Sequence, residues 1–388
     1  MESGPAQAVL PLVGLAADTI IRDWYRGQMF RSHPMVYRIL DANVNRCAEG
    51  LRVVEEYVRF VREDPHLSAL CKQLRHDLGT LVDEATTDRL HAMRDVAGDV
   101  GGGLSTESES QRVDLKGVVV ANVKRVEQSL RSLEEYAKVV SPSLAADFES
   151  LRYRMYELER ALSALDTSLQ RLETARLYVL IDGRASRHGF RELVASLVEH
   201  GVDVLQLRDK HLSDRMLLDR AKLLHSLVRG GDTLFIMNDR LDLALAASAD
   251  GVHLGQDDMP VREARRVLGP EALIGVSTHE IQQAREAVLE GANYIGCGPT
   301  FPSRTKTFEE FPGLQYLKEV RREISLPAFA IGGVGLENVE AVCQAGVFRV
   351  AVSSAVVNAP DPAQSARRMA DRLRAASQYD SDQHGAES

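Results

Sequence analysis

Eight short apolar segments alternate with amphipathic helical patterns along residues 176–376, and this alternation constrains the fold more than any other feature. Near-continuous apolar strands joined by helices indicate a parallel sheet. Eight such units in about 200 residues predict a closed (β/α)₈ TIM barrel, with a doubly wound open sheet as the alternative. The segments are LYVLID (177–182), VDVLQLR (202–208), TLFIMND (233–239), GVHLG (251–255), LIGVS (273–277), YIGCG (294–298), PAFAIGG (327–333) and FRVAVSS (348–354).

The chain before the barrel has helical periodicity, which predicts an all-α domain at 1–143 and a long connecting helix at 144–175. Apolar residues recur in the connecting helix at spacings of three and four: Phe148, Leu151, Met155, Leu158, Leu162, Leu165, Leu169 and Leu172. This heptad seam predicts packing along another helix, or along its twin in a homodimer. The polar composition after the barrel predicts a disordered tail at 377–388.

Composition excludes several classes of protein. A net charge of −9 argues against a nucleic-acid surface, so an anionic substrate must be held by local positive charge. No apolar run approaches the roughly 20 residues that span a bilayer, and the first residues lack the basic region of a signal peptide. The four cysteines are dispersed without CxxC spacing, which predicts reduced thiols in a cytoplasmic protein.

The helical region contains an internal repeat. ANVNRCAEGLRVVEEYVRFV (42–61) matches ANVKRVEQSLRSLEEYAKVV (121–140) at ten of 20 positions, at an offset of 79 residues. The repeat predicts two equivalent helices, related by a pseudo-twofold axis.

Two interpretations of the repeated polar residues stay open. One is a bundle with Arg–Glu ion pairs at the edges of the apolar seam. The other is a shared polar pocket, because buried polar groups need partners or a ligand. The residues that would face this pocket are Asn43, Arg46, Glu55, Asn122, Arg125 and Glu134.

The second predicted barrel strand ends in QLRDK, where Gln206, Arg208 and Lys210 alternate and therefore project to one side. Active sites of such barrels assemble at the carboxyl ends of the strands. Two cations and an amide at this end predict a cradle for a diphosphate.

Carboxylates follow the next two predicted strands. The third ends in Asn238 and Asp239, and the fourth is followed by Asp257 and Asp258. Carboxylates from adjacent strand ends can share one Mg²⁺, which also keeps waters and phosphate oxygens as ligands. The sequence therefore predicts a magnesium site here.

The later strands offer groups suited to phosphate. Backbone amides freed by glycines, together with hydroxyls, form the late-strand phosphate site common in such barrels. The candidates are Ser277 after strand five, Ser303, Thr305 and Lys306 after strand six, Gly332 and Gly333 after strand seven, and Ser353 and Ser354 after strand eight.

Taken together, QLRDK, the ND pair, GVHLGQDDMP, GVSTH, GPTFPSRTK, AIGG and VSSA resemble the thiamine phosphate synthases along the whole barrel. The resemblance implies condensation of a hydroxymethylpyrimidine diphosphate with a thiazole phosphate, with or without its carboxylate. It implies that Asp239 and Asp258 bind Mg²⁺. It further implies a pyrimidine diphosphate site of Gln206, Arg208, Lys210, Asn238, Ser277 and Lys306, and a thiazole phosphate site of Ser303, Thr305, Gly333, Ser353 and Ser354.

The residue types agree with that chemistry. The thiazole nitrogen is itself the nucleophile, so the enzyme has to help diphosphate leave, with Arg208, Lys210 and Lys306 neutralising its charge. A thiazole tautomerase of the same fold is the alternative. It would need the thiazole phosphate site but neither the diphosphate cradle nor the metal pair.

The helical region resembles, over roughly 35–140, a small domain often fused to these synthases. The motifs are DANVNRCAEGLRVVEEY, KQLRH (72–76) and RDVAGDVG (94–101). That family phosphorylates hydroxymethylpyrimidine phosphate, which implies ATP as co-substrate. The chain has no GxxxxGK[ST], so an ordinary P-loop is excluded. The alternative is a non-catalytic dimerisation module.

Overall fold

In the computed structural model, residues 34–82, 90, 112–302 and 312–385 are described. Four helices precede the barrel in this part of the chain: α1 (Pro34–Phe60), α2 (Pro65–Leu81), α3 (Leu115–Ala137) and α4 (Pro142–Leu172). Asp114 caps α3, where its Oδ1 accepts a hydrogen bond of 2.6 Å from the Gly117 amide. None of the described helices is long and apolar enough to cross a membrane.

In the barrel that follows, each strand is followed by a helix, and two helices follow the last strand. Its elements are β1 (Leu177–Ile181), α5 (Arg187–Glu199), β2 (Val204–Leu207), α6 (Asp214–Val228), β3 (Leu234–Asn238), α7 (Leu241–Ala247), β4 (Gly251–Leu254), α8 (Val261–Leu268), β5 (Leu273–Thr278), α9 (Ile281–Glu290), β6 (Tyr294–Cys297), α10 (Gly313–Glu323), β7 (Ala328–Ile331), α11 (Val339–Gln344), β8 (Val350–Val352), α12 (Ser354–Val357) and α13 (Pro362–Gly385). Each strand pairs in parallel with its neighbours, and β8 pairs with β1. The predicted closed barrel after an all-α region is confirmed.

Large inward side chains fill the barrel. Tyr178, Tyr294 and Phe329 are each at most 2% exposed and belong to one apolar cluster. The edge-to-face contact of Tyr178 with Phe329 has ring centroids 5.3 Å apart. Gly275 makes room for Tyr294, because a Cβ there would lie 2.0 Å from its ring.

The described residues form two compact units. The first contains 34–57 and 70–156, and the second contains 58–69 and the chain from 157 onward. The units divide inside α4, rather than at residue 143 where the sequence places the end of the helical domain. The reason is that the first turns of α4 belong to the repeat.

The repeat extends over a pair of helices in each copy. α1 corresponds to α3 at an offset of 79 residues, and α2 corresponds to the start of α4 at an offset of 77. In both copies the asparagine of the motif donates to the carbonyl four residues earlier, Asn43 to Ile39 at 2.9 Å and Asn122 to Val118 at 2.8 Å.

The heptad seam of α4 is buried within this single chain, except that Leu169 is half-buried. Its burial therefore needs no second subunit. Leu172, at its end, belongs to the cluster that fills the barrel.

The predicted disordered tail is wrong for 377–385, because α13 continues to Gly385. Two contacts from the barrel explain the extra turns. Arg176 Nε donates to Ser377 Oγ at 3.3 Å, and Arg321 forms a long ion pair of 3.9 Å with Asp380.

The buried ion pair between Glu134 and Arg152 provides a test of the first unit. Its Nε–Oε2 distance is 2.8 Å, and the Arg152 side chain is only 10% exposed. We expect Glu134→Ala to lower the free energy of unfolding by about 3 kcal/mol, because it leaves a buried cation without the carboxylate that contacts it at hydrogen-bond distance. Urea unfolding, with amide exchange in α3 as local readout, measures this cost. The exposed neighbour Glu135 is the control, and equal effects of Glu134→Ala and Glu135→Ala would contradict the expectation.

Candidate functional site

The amide and cations predicted after β2 occupy different depths. Gln206 is 2% exposed inside the barrel, and its Nε2 donates to the Tyr178 hydroxyl at 2.7 Å. Its Oε1 is buried and has no hydrogen-bond partner among the described residues. Arg208 and Lys210 lie beyond the strand and are exposed. A ligand at this end would therefore meet an unsatisfied amide oxygen below and two cations at the mouth.

The two carboxylates predicted to bind metal lie together. Asp239, directly after β3, has a left-handed backbone (φ 58°) that aspartate tolerates better than most residues, and its amide donates to the His253 carbonyl at 2.9 Å. Asp258, after β4, accepts a hydrogen bond of 2.7 Å from the Gly255 amide. Burial, followed by the hydrogen bond and charge of Asp258, raises the pKa of Asp239. The positive charges of Lys210 and Arg208 act in the opposite direction.

This pair fits a divalent cation. The two carboxylates face each other and repel when both are ionised, and a cation bound by both would remove that repulsion. The described residues contain no group of three or more His, Cys, Asp or Glu side chains that could hold a metal. A pair is nevertheless sufficient for Mg²⁺, which completes its shell with waters and substrate phosphates.

A largely buried hydrogen-bond chain joins five strands, and sequence reasoning did not identify most of it. From Gln206 the chain continues through Tyr178 and Tyr294, whose hydroxyls are 3.0 Å apart. It then reaches His253 Nδ1 at 3.3 Å from the Tyr294 hydroxyl, and its last bond joins His253 Nε2 to Ser277 Oγ at 2.9 Å.

This chain has one consistent direction. With Gln206 donating to Tyr178, each tyrosine donates to the next acceptor, and His253 Nε2–H donates to Ser277 Oγ. The proton of Ser277 is then available to a ligand. Burial lowers the pKa of His253 to about 4, so the imidazole is neutral at physiological pH, as this direction requires. His253 lies on the inward side of β4, and strand alternation could have identified it.

The remaining predicted residues on the rim follow β3, β7 and β8. Asn238 ends β3 and is half-buried, and Ser353 Oγ donates to the Leu180 carbonyl at 3.0 Å just before α12 begins at Ser354. Gly333 has φ 66°, and a Cβ there would lie 2.8 Å from the Phe301 and Pro302 carbonyl oxygens. A larger residue would thus displace the loop after β6. Ser303, Thr305 and Lys306 lie outside the described residues.

Five of the six polar residues of the helical repeat have contacts within their own copies. Arg46 and Arg125 are exposed, and Arg125 lies 3.4 Å from Asn122 Oδ1. Glu55 pairs with Arg75 of α2 at 3.1 Å, just as Glu134 pairs with Arg152 of α4. These contacts fit the ion-pair interpretation, and the shared pocket stays a prediction.

Two family models match the chain. The model described as thiamine monophosphate synthase matches residues 177–356, which is most of the barrel. The model of the ThiD2 family matches residues 38–161, which includes both copies of the helical repeat.

Relatives match along most of their length. A thiamine-phosphate synthase of Rhodopirellula baltica is 48% identical over 330 residues, which is 83% of this chain and 88% of the relative. A thiamine-phosphate synthase of Thermosynechococcus vestitus is 43% identical over 338 residues, covering 87% of this chain and 94% of the relative. Among solved structures, a thiamine phosphate pyrophosphorylase from Pyrococcus furiosus is 34% identical, with a TM-score of 0.48. That match covers 53% of this chain and 98% of that one.

The carboxylate pair generates a test that needs no substrate turnover. Because the pKa of Asp239 is raised in the folded state, its ionisation costs stability at neutral pH, and this cost disappears as the pH falls below the ordinary aspartate range. We expect Asp258→Asn to raise the melting temperature in EDTA at pH 7 by roughly 2 °C. The advantage should shrink on acidification.

The same variant should lose the stabilisation that Mg²⁺ gives in the presence of inorganic diphosphate, because one carboxylate ligand is gone. Thermal melts with and without Mg²⁺ measure this difference. An Mg²⁺-dependent shift as large in Asp258→Asn as in the parent would show that the pair does not hold the ion.

Proposed function

The chain belongs to the thiamine-phosphate synthase family, whose members are transferases of thiamine biosynthesis, and we propose that its barrel joins the methylene carbon of hydroxymethylpyrimidine diphosphate to the ring nitrogen of a thiazole phosphate. The products are thiamine phosphate and diphosphate. The observation that carries this proposal is the Asp239–Asp258 pair within the electrostatic reach of Arg208 and Lys210.

Residues at different depths of the barrel bind different parts of the substrates. The buried Gln206 amide and the Ser277 hydroxyl bind polar atoms of the pyrimidine ring, and Asn238 assists at the end of β3. Arg208 and Lys210 hold the diphosphate at the mouth, joined by Lys306. Ser303, Thr305, Gly333, Ser353 and Ser354 bind the thiazole phosphate.

Bond cleavage needs charge stabilisation more than a protein nucleophile. The carbon–oxygen bond to diphosphate breaks as, or before, the thiazole nitrogen attacks, since an aminopyrimidine can support a cationic methylene. Mg²⁺, held by Asp239 and Asp258, would supply charge neutralisation for the leaving diphosphate. Arg208 and Lys210 add fixed positive charge, and the walls of the barrel mouth keep water from the cation.

A thiazole tautomerase explains this geometry less well. Such an enzyme releases no diphosphate, so it has no use for facing carboxylates beside two cations. The synthase uses all four groups.

We propose that the helical unit phosphorylates hydroxymethylpyrimidine phosphate with ATP and so supplies the diphosphate that the barrel consumes. The match to the ThiD2 family supports this assignment. Both reactions use charged phosphorylated substrates, which fits an enzyme acting in the cytoplasm. A unit that serves only to form a homodimer is the alternative, and the assays below distinguish the two.

Replacement of one metal ligand tests the synthase site. We expect Asp239→Ala to lower turnover of the supplied pyrimidine diphosphate and thiazole phosphate by about 10²-fold or more, the scale of losing one transition-state charge stabiliser. Asp257→Ala is the matched control, since Asp257 is an exposed carboxylate next to the pair. Thiamine phosphate is measured by chromatography, and near-normal turnover in EDTA would refute the metal role.

Omission of single substrates tests the helical unit. With ATP, Mg²⁺, hydroxymethylpyrimidine phosphate and thiazole phosphate, we expect the full chain to make thiamine phosphate. With Asp239→Ala, the pyrimidine diphosphate should accumulate instead, because only the barrel is impaired. If the parent forms thiamine phosphate from supplied diphosphate but never from ATP and the monophosphate, the dimerisation alternative holds.

A further inference from the structure

The two copies of the helical repeat can be compared position by position. Arg75 of α2 and Arg152 of α4 occupy equivalent positions at the 77-residue offset. Each pairs with the repeated glutamate of the preceding helix, Glu55 at 3.1 Å and Glu134 at 2.8 Å. The two copies therefore place the same ion pair at equivalent positions of the repeat.

In the second copy, the guanidinium is covered. Arg152 lies 4.8 Å from the ring centroid of Tyr153 and donates to the Tyr156 hydroxyl at 3.1 Å. Glu149 adds a second carboxylate at 3.8 Å. The Arg152 side chain is consequently only 10% exposed. The two carboxylates neutralise the charge of Arg152 and the two tyrosines cover its guanidinium, which leaves no room for a ligand.

In the first copy, the same three positions are Lys72, His76 and Gly79. A basic residue therefore stands where the second copy has an acidic one, a histidine stands in place of Tyr153, and a glycine without a side chain stands in place of Tyr156. A Cβ at Gly79 would meet none of the described residues within 4 Å, and the Arg75 side chain is 34% exposed. Among the described residues, nothing covers Arg75 in the way that the two tyrosines and Glu149 cover Arg152.

A cavity of about 490 Å³ lies over this face of α2. The described residues that line it are Lys72, Arg75, His76, Gly79 and Thr80. Asp77, the carboxylate between them in sequence, is bound to Arg154 at 2.5 Å and to Gln73 at 2.7 Å. Both of its oxygens are therefore bound by residues that do not line the cavity.

We propose that this cavity binds the phosphate of a phosphate ester, a role that deepens the phosphoryl transfer proposed for the helical unit. Arg75 offers a planar fork of donors, Lys72 a mobile ammonium, and Thr80 a hydroxyl. Glu55 holds Arg75 in place through an ion pair of 3.1 Å. The ester is either the nucleotide or the pyrimidine phosphate, and the two share the group that this site recognises.

The test uses the full chain and two variants, each with a matched control. Gly79→Tyr restores the side chain that the second copy carries and fills the cavity, whereas Gly79→Ala adds only a methyl group into open space. Lys72→Ala removes a cation that lines the cavity, whereas Arg52→Ala removes an exposed cation of α1 outside it. Calorimetry with inorganic phosphate, a non-hydrolysable ATP analogue and hydroxymethylpyrimidine phosphate measures binding.

We expect Gly79→Tyr and Lys72→Ala to weaken binding of at least one ester about tenfold or more, the scale of losing a hydrogen bond to a charged group. The two controls should stay within about twofold. Which ester is affected identifies the source of the phosphate. Thiazole phosphate binding and condensation of supplied diphosphate should be unchanged, and a circular dichroism spectrum equal to that of the parent shows that the helical unit of each variant is folded. Equal affinities in parent and variants would overturn the proposal.

This outcome is separable from the kinase assay. If the parent makes no diphosphate from ATP but Gly79→Tyr still abolishes ester binding, the site stands and the phosphoryl transfer fails. If the parent makes diphosphate and Gly79→Tyr makes it equally well, the phosphoryl transfer stands and the site fails.

Discussion

Closure of eight parallel strands around Tyr178 and Tyr294 is the constraint on which the barrel site depends. Two large aromatic residues can share the interior only because β5 carries Gly275 where a Cβ would lie 2.0 Å from the Tyr294 ring. Their hydroxyls are then buried and need partners. Gln206 from β2 and His253 from β4 supply those partners, so the packing of the core also fixes the polar groups at the base of the site.

The closure of the barrel also places the charged residues of the site. The chain as a whole is anionic, with a net charge of −9, which would repel a diphosphate at long range. Neighbouring strands nevertheless end at one rim, where Arg208 and Lys210 after β2 act on Asp239 after β3. The positive charge at this rim acts at short range, and a bound divalent cation would add to it. It can outweigh the field of the net negative charge, because salt screens that field over about 10 Å.

The alternation of short apolar segments with helical patterns was enough to predict the eight strands, to place Gln206 in β2, and to place Asp239 and Asp258 after β3 and β4. It did not identify the roles of Tyr178, Tyr294 and His253. Alternation shows that a side chain points inward, but not which strand it meets across the barrel. The tail was mispredicted for a similar reason, since composition cannot show that Arg176 and Arg321 contact it. The two copies of the helical repeat were evident in the sequence, whereas the pairing of Glu55 with Arg75 depends on the helix that follows.

The helical unit shows how a repeated framework can carry two different surfaces. Its backbone is set by features that both copies keep, namely the asparagine bonded to its own helix, the glutamate–arginine pair and the buried seam. Around the second arginine, tyrosines and a carboxylate satisfy charge and fill space, which favours stability. Around the first, the charge of Arg75 has only Glu55 as an ion-pair partner among the described residues, and the surface beside Gly79 is open. Since an ion pair alone needs neither the open space nor the added Lys72, stability by itself does not account for the difference between the copies. A phosphate ligand accounts for both changes at once, because it needs the space for its oxygens and the cations for its charge.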